Sequence, residues 1–242
     1  MPDGGDPDRM TRALVTGANK GIGFEIAKAL RSHGVDVIIA ARDRKRGVEA
    51  ARALDTPFVQ LDVTDDQSVA RAAGEVESGG ATLDILVNNA GVLLELDHRD
   101  PALVPIELVT RTFDTNVFGA IRVTNAFLPL LRRAPAARIV NVSSRLASLT
   151  RALEGTPSHL TFLAYNSSKT ALNAVTLQYA IALRGTTIKI NAVDPGHSAT
   201  DINGRMGDRP PAEAACLPVR LALLPDDGPT GAFISNDGEV PW

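Results

Sequence analysis

The chain of 242 residues is 44% hydrophobic and 22% charged, the balance of a globular protein large enough to bury a core. Its formal net charge of -3 argues against a nucleic-acid surface, which is normally basic. No apolar run approaches the ~20 residues of a membrane span, and the acidic start Met1-Pro-Asp-Gly-Gly-Asp-Pro-Asp-Arg-Met10 lacks the apolar core of a signal peptide. Residues 1–10 read as a disordered leader, with Met10 as an alternative start, and 11–242 as one domain. Arg12–Thr16 is a short apolar run ending in glycine, a buried strand. From Gly21 to His33, Ile22, Ile26, Ala29 and Leu30 recur at helical spacing. Val35–Ala41 is a second strand and Arg44–Leu54 a second helix. Phe58–Leu61, Leu83–Val87, Arg138–Val142 and Thr187–Val193 are further strands, with helical stretches between them. This alternation predicts an α/β fold of the Rossmann type: one doubly wound parallel sheet covered by helices on both faces. Gly196 to Pro218 is polar, carries Pro210 and Pro211, and reads as a mobile flap over a substrate. Gly231–Ser235 is a candidate last edge strand.

Gly17, Gly21 and Gly23 stand where the first strand turns into the first helix. Glycines there let the backbone approach a pyrophosphate, and the helix N-terminus supplies N–H donors and positive potential. The second strand ends Ala40-Ala41-Arg42. Sites for NAD usually place a carboxylate at that point to hold the ribose 2′-hydroxyl. A neutral residue followed by arginine favours a 2′-phosphate, gripped in bidentate fashion by the guanidinium. Lys20 adds a second cation and Arg46 a third, so the expected cofactor is NADP(H). Tyr165 and Lys169 lie four residues apart, on one helix face. A fixed cation beside a phenol is expected to lower its pKa from ~10 and make it a working acid or base.

With these residues in place, the chain resembles the short-chain dehydrogenase/reductases from about Arg12 to Trp242. The turn from Thr16 to Gly23, which includes Asn19 and Ile22, is similar to the family's T-G-x-x-x-G-x-G. Asp62 and Val63 match the segment that contacts the adenine. Asn89 and Gly91 belong to a run, Asn88-Asn-Ala-Gly91, that resembles the family's N-N-A-G. Tyr165 and Lys169 match Y-x-x-x-K, and Asn116 falls on the family's catalytic asparagine. Pro195, Gly196 and Thr200 resemble the P-G-x-x-x-T element that holds the nicotinamide carboxamide. Of the pair Ser143 and Ser144, the spacing from Asn141 points to Ser144 as the family's serine. Within the family, Asn19-Lys20 and Ala41-Arg42-Asp43 look most like the NADPH-dependent carbonyl reductases.

The resemblance implies hydride transfer between NADP(H) and a carbonyl/alcohol pair. Tyr165 acts as general acid, Ser144 binds the oxygen, Lys169 depresses the tyrosine pKa, and Asn116 anchors a water. A non-catalytic NADP(H)-binding sensor or scaffold is the alternative from another class; an isomerising or dehydrating enzyme of the same fold is a second. The resemblance also implies a homodimer or homotetramer paired through helices near 113–131 and 162–183. Asp194 has two open readings, a carboxylate near the nicotinamide or a turn before Pro195. Pro157, His159 and His197 read as rim or flap residues, and Cys216 as a partly buried structural thiol. The single cysteine excludes an internal disulfide and fits a reducing cytoplasm. No cluster has metal-ligand spacing.

Overall fold

The computed structural model describes residues 9–80, 82–97, 100–155 and 160–242. The leader up to Asp8 and the rim residues Pro157 and His159 lie outside the described residues. Seven short apolar runs pair side by side in parallel: β1 (Arg12–Thr16), β2 (Asp36–Ala41), β3 (Phe58–Gln60), β4 (Ile85–Asn88), β5 (Arg138–Val142), β6 (Lys189–Val193) and β7 (Phe233–Ser235). A two-residue strand, β8 (Gly238–Glu239), adds antiparallel to β7; the sequence reading did not contain it. The spatial order is β3-β2-β1-β4-β5-β6-β7-β8. The chain works outward from β1 to β3, then returns to place β4 on the other side of β1. That reversal opens a crevice at the carboxyl ends of β1 and β4, where ligands bind in such sheets.

Alternation along the strands builds two cores, because successive side chains point to opposite faces. Ala13, Val15 and Val87 face α1 (Gly21–Ser32), α2 (Arg44–Leu54) and α8 (Pro211–Ala222). Leu14, Leu86 and Ile139 face α3 (Asp66–Ser78), α5 (Gly119–Arg133) and α7 (Leu163–Ala182). The helix α4 (Ile106–Phe113) runs through a π-helical turn, Asp114–Phe118, into α5, so this helical column starts earlier than the sequence reading placed it.

Three expectations need correction. The flap does not reach Pro218: α8 begins at Pro211 and buries Ala214, Ala215, Leu217, Pro218 and Val219, so only the stretch before it is loop-like. Its apolar face was hidden by the prolines and polar residues around it. Cys216 is exposed on the outer side of α8 rather than partly buried. Arg9, assigned to the leader, is tied to the domain by hydrogen bonds to Thr82 (3.0 Å) and Asp84 (3.0 Å).

Candidate active site

The β1–α1 turn folds back tightly on the start of the next crossover. Gly17 and Gly21 have φ of 64° and 59°, a region that L side chains rarely adopt. A Cβ on Gly23 would lie 2.3 Å from Asn89 Nδ2, so no side chain fits there. Asn89 donates from Nδ2 to the carbonyls of Thr16 (2.9 Å) and Gly17 (3.3 Å), locking the turn against the end of β4. Lys20, at the N-cap of α1, makes no side-chain cap, and no acidic residue stands in the first turn. The leading N–H groups of α1 are therefore left open towards the crevice, a setting suited to an anion.

The crevice holds about 980 Å³, near the upper end of ordinary ligand sites. Gly17, Asn19, Lys20, Gly21, Ile22 and Gly23 line one end, with Arg42, Asp62 and Val63 beside them. The exposed Arg42 guanidinium has no ion pair among the described residues. Lys20 reaches instead across the crevice to Asp201 at 2.7 Å, joining the glycine turn to the loop after β6. Arg46 does not line the crevice. Asp43 caps α2 by accepting from Arg46 N (3.0 Å), and the Arg46 side chain turns to Asp43 at 3.8 Å. Its cationic charge belongs to the start of α2, where the Asp43 carboxylate offsets the unfavourable helix dipole.

At the other end Ser144, Tyr165 and Lys169 share a wall, with Gly91, Pro195, Gly196 and Thr200 nearby. Ser144 hydrogen-bonds the Tyr165 phenol. Both serines line the crevice, but Ser143 is buried and its hydroxyl donates to Asn173 Oδ1 (2.7 Å), whereas Ser144 is only partly buried. Lys169 is buried, and its ammonium donates to the Val142 carbonyl at the end of β5 (2.7 Å). Leu93, Leu96, Leu146, Phe162 and Met206 make the mouth beyond them apolar, with His197 on the rim.

The charge balance differs from expectation. Burial pushes the Tyr165 phenol up to about 12; the Asp194 carboxylate adds to the rise, and the Ser144 hydrogen bond opposes it. Burial brings Lys169 down to about 8. The lysine Nζ lies 5.8 Å from the Tyr165 ring centroid. Desolvation of both groups outweighs the lysine's attraction for a phenolate, so Tyr165 rests as the neutral phenol. Asp194 serves as the turn residue before Pro195, accepting from Gly196 N (3.1 Å), and its carboxylate also lines the crevice, with Arg145 held on its other oxygen at 2.8 Å.

Asn116 lies behind the wall rather than on it. Its side chain accepts from Val92 N (2.8 Å) and donates to Val92 O (2.9 Å) and Ser168 Oγ (3.0 Å), all within the π-turn's buried side. π-helical turns often mark functional positions, and this one swings Asn116 towards the loop that follows Gly91. Sequence reading missed Glu95 and Arg145. Glu95 accepts from Ala164 N (3.0 Å) and Tyr165 N (2.6 Å), capping α7 from a distant loop. The one available signal was negative: Phe162, before α7, cannot cap a helix.

A family model for short chain dehydrogenase matches residues 11–210. The chain belongs to the short-chain dehydrogenase family. Among its relatives in the family, (-)-isopiperitenone reductase of Mentha piperita is 37% identical, over 93% of this chain and 96% of its own. Carbonyl reductase (NADPH) 1 of Mus musculus is 36% identical, over 95% of this chain and 98% of its own. The NADPH-bound carbonyl reductase from chicken fatty liver superposes with a TM-score of 0.83 at 29% identity, over 97% of this chain and all (100%) of that one. The similarity of these relatives to this chain extends well past the glycine turn, and the chicken fatty liver enzyme shares its fold.

Proposed function

We propose that this short-chain dehydrogenase is an NADP(H)-dependent oxidoreductase that interconverts a ketone or aldehyde and its alcohol. The observation that carries the reading is the convergence of Ser144, Tyr165 and Lys169 on one wall of a crevice. The far end of that crevice holds the open N-terminus of α1 and Arg42, which has no ion pair among the described residues. Relatives named as carbonyl and isopiperitenone reductases support it.

The dinucleotide, when bound, supplies or accepts the hydride, and the protein aligns and excludes water around it. The glycine turn and the first N–H groups of α1 receive the pyrophosphate. Arg42 would hold the 2′-phosphate, and Lys20 would add a second cation at that end of the crevice. Asp62 and Val63 line the adenine end; Gly91, Pro195, Gly196 and Thr200 line the nicotinamide end. Asn89 serves by holding the glycine turn, and Arg46 has no direct part.

The substrate oxygen lies between the Ser144 hydroxyl and the Tyr165 phenol. Negative charge grows on that oxygen during reduction, so donors placed there stabilise the transition state more than the ground state. Tyr165, kept as a phenol by burial, donates the proton. Lys169, brought to about 8, is able to return one to the resulting phenolate near neutral pH and would also hold the nicotinamide ribose. Asn116 holds the loop behind them in place.

A panel of ketones, aldehydes and alcohols followed by NADPH absorbance tests the reading. Tyr165→Phe keeps the ring and loses the donor; turnover should fall by ~10²–10⁴ while NADPH binding stays near that of the parent. Parent-level turnover in Tyr165→Phe would return the scaffold reading. We place the enzyme in the cytoplasm as a homodimer or homotetramer. No described helix is long and apolar enough to cross a membrane. Exposed Phe118, at the end of the π-turn, and Leu163 and Ile181 on α7 mark sides available for pairing.

A further inference from the structure

The helix that carries Tyr165 begins without a cap of its own. Phe162 stands at the N-cap position, and its side chain has no oxygen to accept the leading N–H groups. Glu95 does this from 70 residues upstream. One carboxylate oxygen accepts from Tyr165 N at 2.6 Å and the other from Ala164 N at 3.0 Å. Glu95 is 1% exposed, so its charge is buried. A buried carboxylate is costly unless paired or hydrogen-bonded, and a helix N-terminus is where an anion is best tolerated.

The Tyr165 carbonyl is held through a second route that leads to the same loop. Ser168 Oγ donates to Tyr165 O (2.7 Å), Asn116 Nδ2 donates to Ser168 Oγ (3.0 Å), and Asn116 clasps Val92 through both its N–H and its C=O. The N–H and the C=O of Tyr165 are thus both tied to the loop between Val92 and Glu95. That loop leaves Asn89, which locks the glycine turn at the cofactor end. Glu95 closes this ring of contacts at the N–H of Tyr165.

We propose that Glu95 is a positioning residue: by capping α7 from the loop after Gly91, it sets the Tyr165 phenol at the distance from the cofactor cradle that proton donation requires. The proposal rests on the reading of Tyr165 as proton donor. Glutamate suits the task because both of its oxygens accept. In Glu95→Gln one acceptor becomes an amide donor facing a backbone N–H. In Glu95→Ala both N–H groups lose their partner.

A shift of about 1 Å at a reacting group can lower a rate ~10²-fold. With a ketone that the parent enzyme reduces, kcat per NADPH-binding site should fall about 10-fold in Glu95→Gln and ~10²-fold in Glu95→Ala. Sites are counted by NADPH fluorescence titration. The NADPH Kd should stay within about twofold of the parent, and the solvent deuterium isotope effect on kcat should rise as proton donation becomes limiting. A merely structural cap would lower the number of binding sites and leave kcat per site and the isotope effect unchanged. If Glu95→Ala does not fold, Glu95→Gln decides. Parent-level kcat per site in Glu95→Gln, with Tyr165→Phe inactive beside it, overturns the proposal. Parent-level turnover in Tyr165→Phe overturns instead the function reading on which it rests.

Discussion

Tyr165 and Asp194 set the acid–base behaviour of the site between them. The phenol sits at about 12 because it is buried and because a carboxylate faces it. Below that pH the phenol is the resident form and can donate, so ketone reduction should hold through neutral pH and fail on the alkaline side. Replacing Asp194→Asn removes the second cause of the rise and leaves the Arg145 charge without its closest acidic partner. Both changes favour the phenolate. The alkaline limb of kcat/KM for reduction should therefore move to lower pH, and pH–rate profiles of parent and variant measure it. An unmoved limb, or one that rises, would contradict the assignment. Arg42 is the other residue with a single clear task. Arg42→Ala combined with Ala41→Asp exchanges a 2′-phosphate grip for a 2′-hydroxyl acceptor. The ratio of kcat/KM for NADPH over NADH should drop at least tenfold and pass towards NADH; a parent that already prefers NADH would refute the idea.

Among the elements, β4, β5 and α7 are joined by a buried polar rail under the active site. Asn88 Nδ2 donates to Asn141 Oδ1 (2.8 Å) and to Thr124 Oγ1 (3.0 Å) on α5. Asn141 Nδ2 donates to Thr176 Oγ1 (2.8 Å) on α7. Two neighbouring strands thus present side chains that reach the helices bearing Tyr165 and Asn116 from below. Buried amides of this kind specify where a helix rests, since each hydrogen bond fixes one register and apolar packing alone does not. Asn141→Leu fills the space but takes from Asn88 Nδ2 one of its two acceptors and from Thr176 Oγ1 its amide donor. Stability should fall by about 1–3 kcal/mol, read as a lower urea midpoint at unchanged m. A midpoint equal to the parent's would show the rail to be dispensable.

At the scale of the molecule, the active site lies where three parts of the chain meet. The crevice is closed by the β1–α1 turn, the end of α7 nearest β5, and the loop between β6 and α8. Lys20 and Asp201 bridge two of these directly. The π-turn before α5 and the outer side of α7 carry exposed Phe118 and Ile181, while α4 and the turn before it expose Ile106 and Leu103. Apolar groups on paired helices suit a two-fold interface, in which one surface meets its own copy. Light scattering at micromolar concentration should give the mass of a dimer or tetramer; a monomer alone would contradict this.

By itself the sequence determined the parts of this protein that depend on local pattern. The seven apolar runs became parallel strands, and β1, β5 and α2 occupy the residues at which their patterns start and stop. The glycine turn, Arg42, Ser144, Tyr165 and Lys169 were singled out from short spacings of particular residue types, and the structure brings them to one crevice. What depends on partners far along the chain was decided only in the tertiary structure. Helix α8 was read as flap because its amphipathic face has meaning only against α1. Arg46 turned away from the crevice because Asp43 lies closer to it. Asn116 has its amide taken up by Val92 and Ser168, contacts that no spacing records. The sign of the Tyr165 shift followed burial, which no spacing records. Glu95 found its partners 69 and 70 residues away, a distance across which sequence pattern carries no signal and only the fold brings a carboxylate to a helix end.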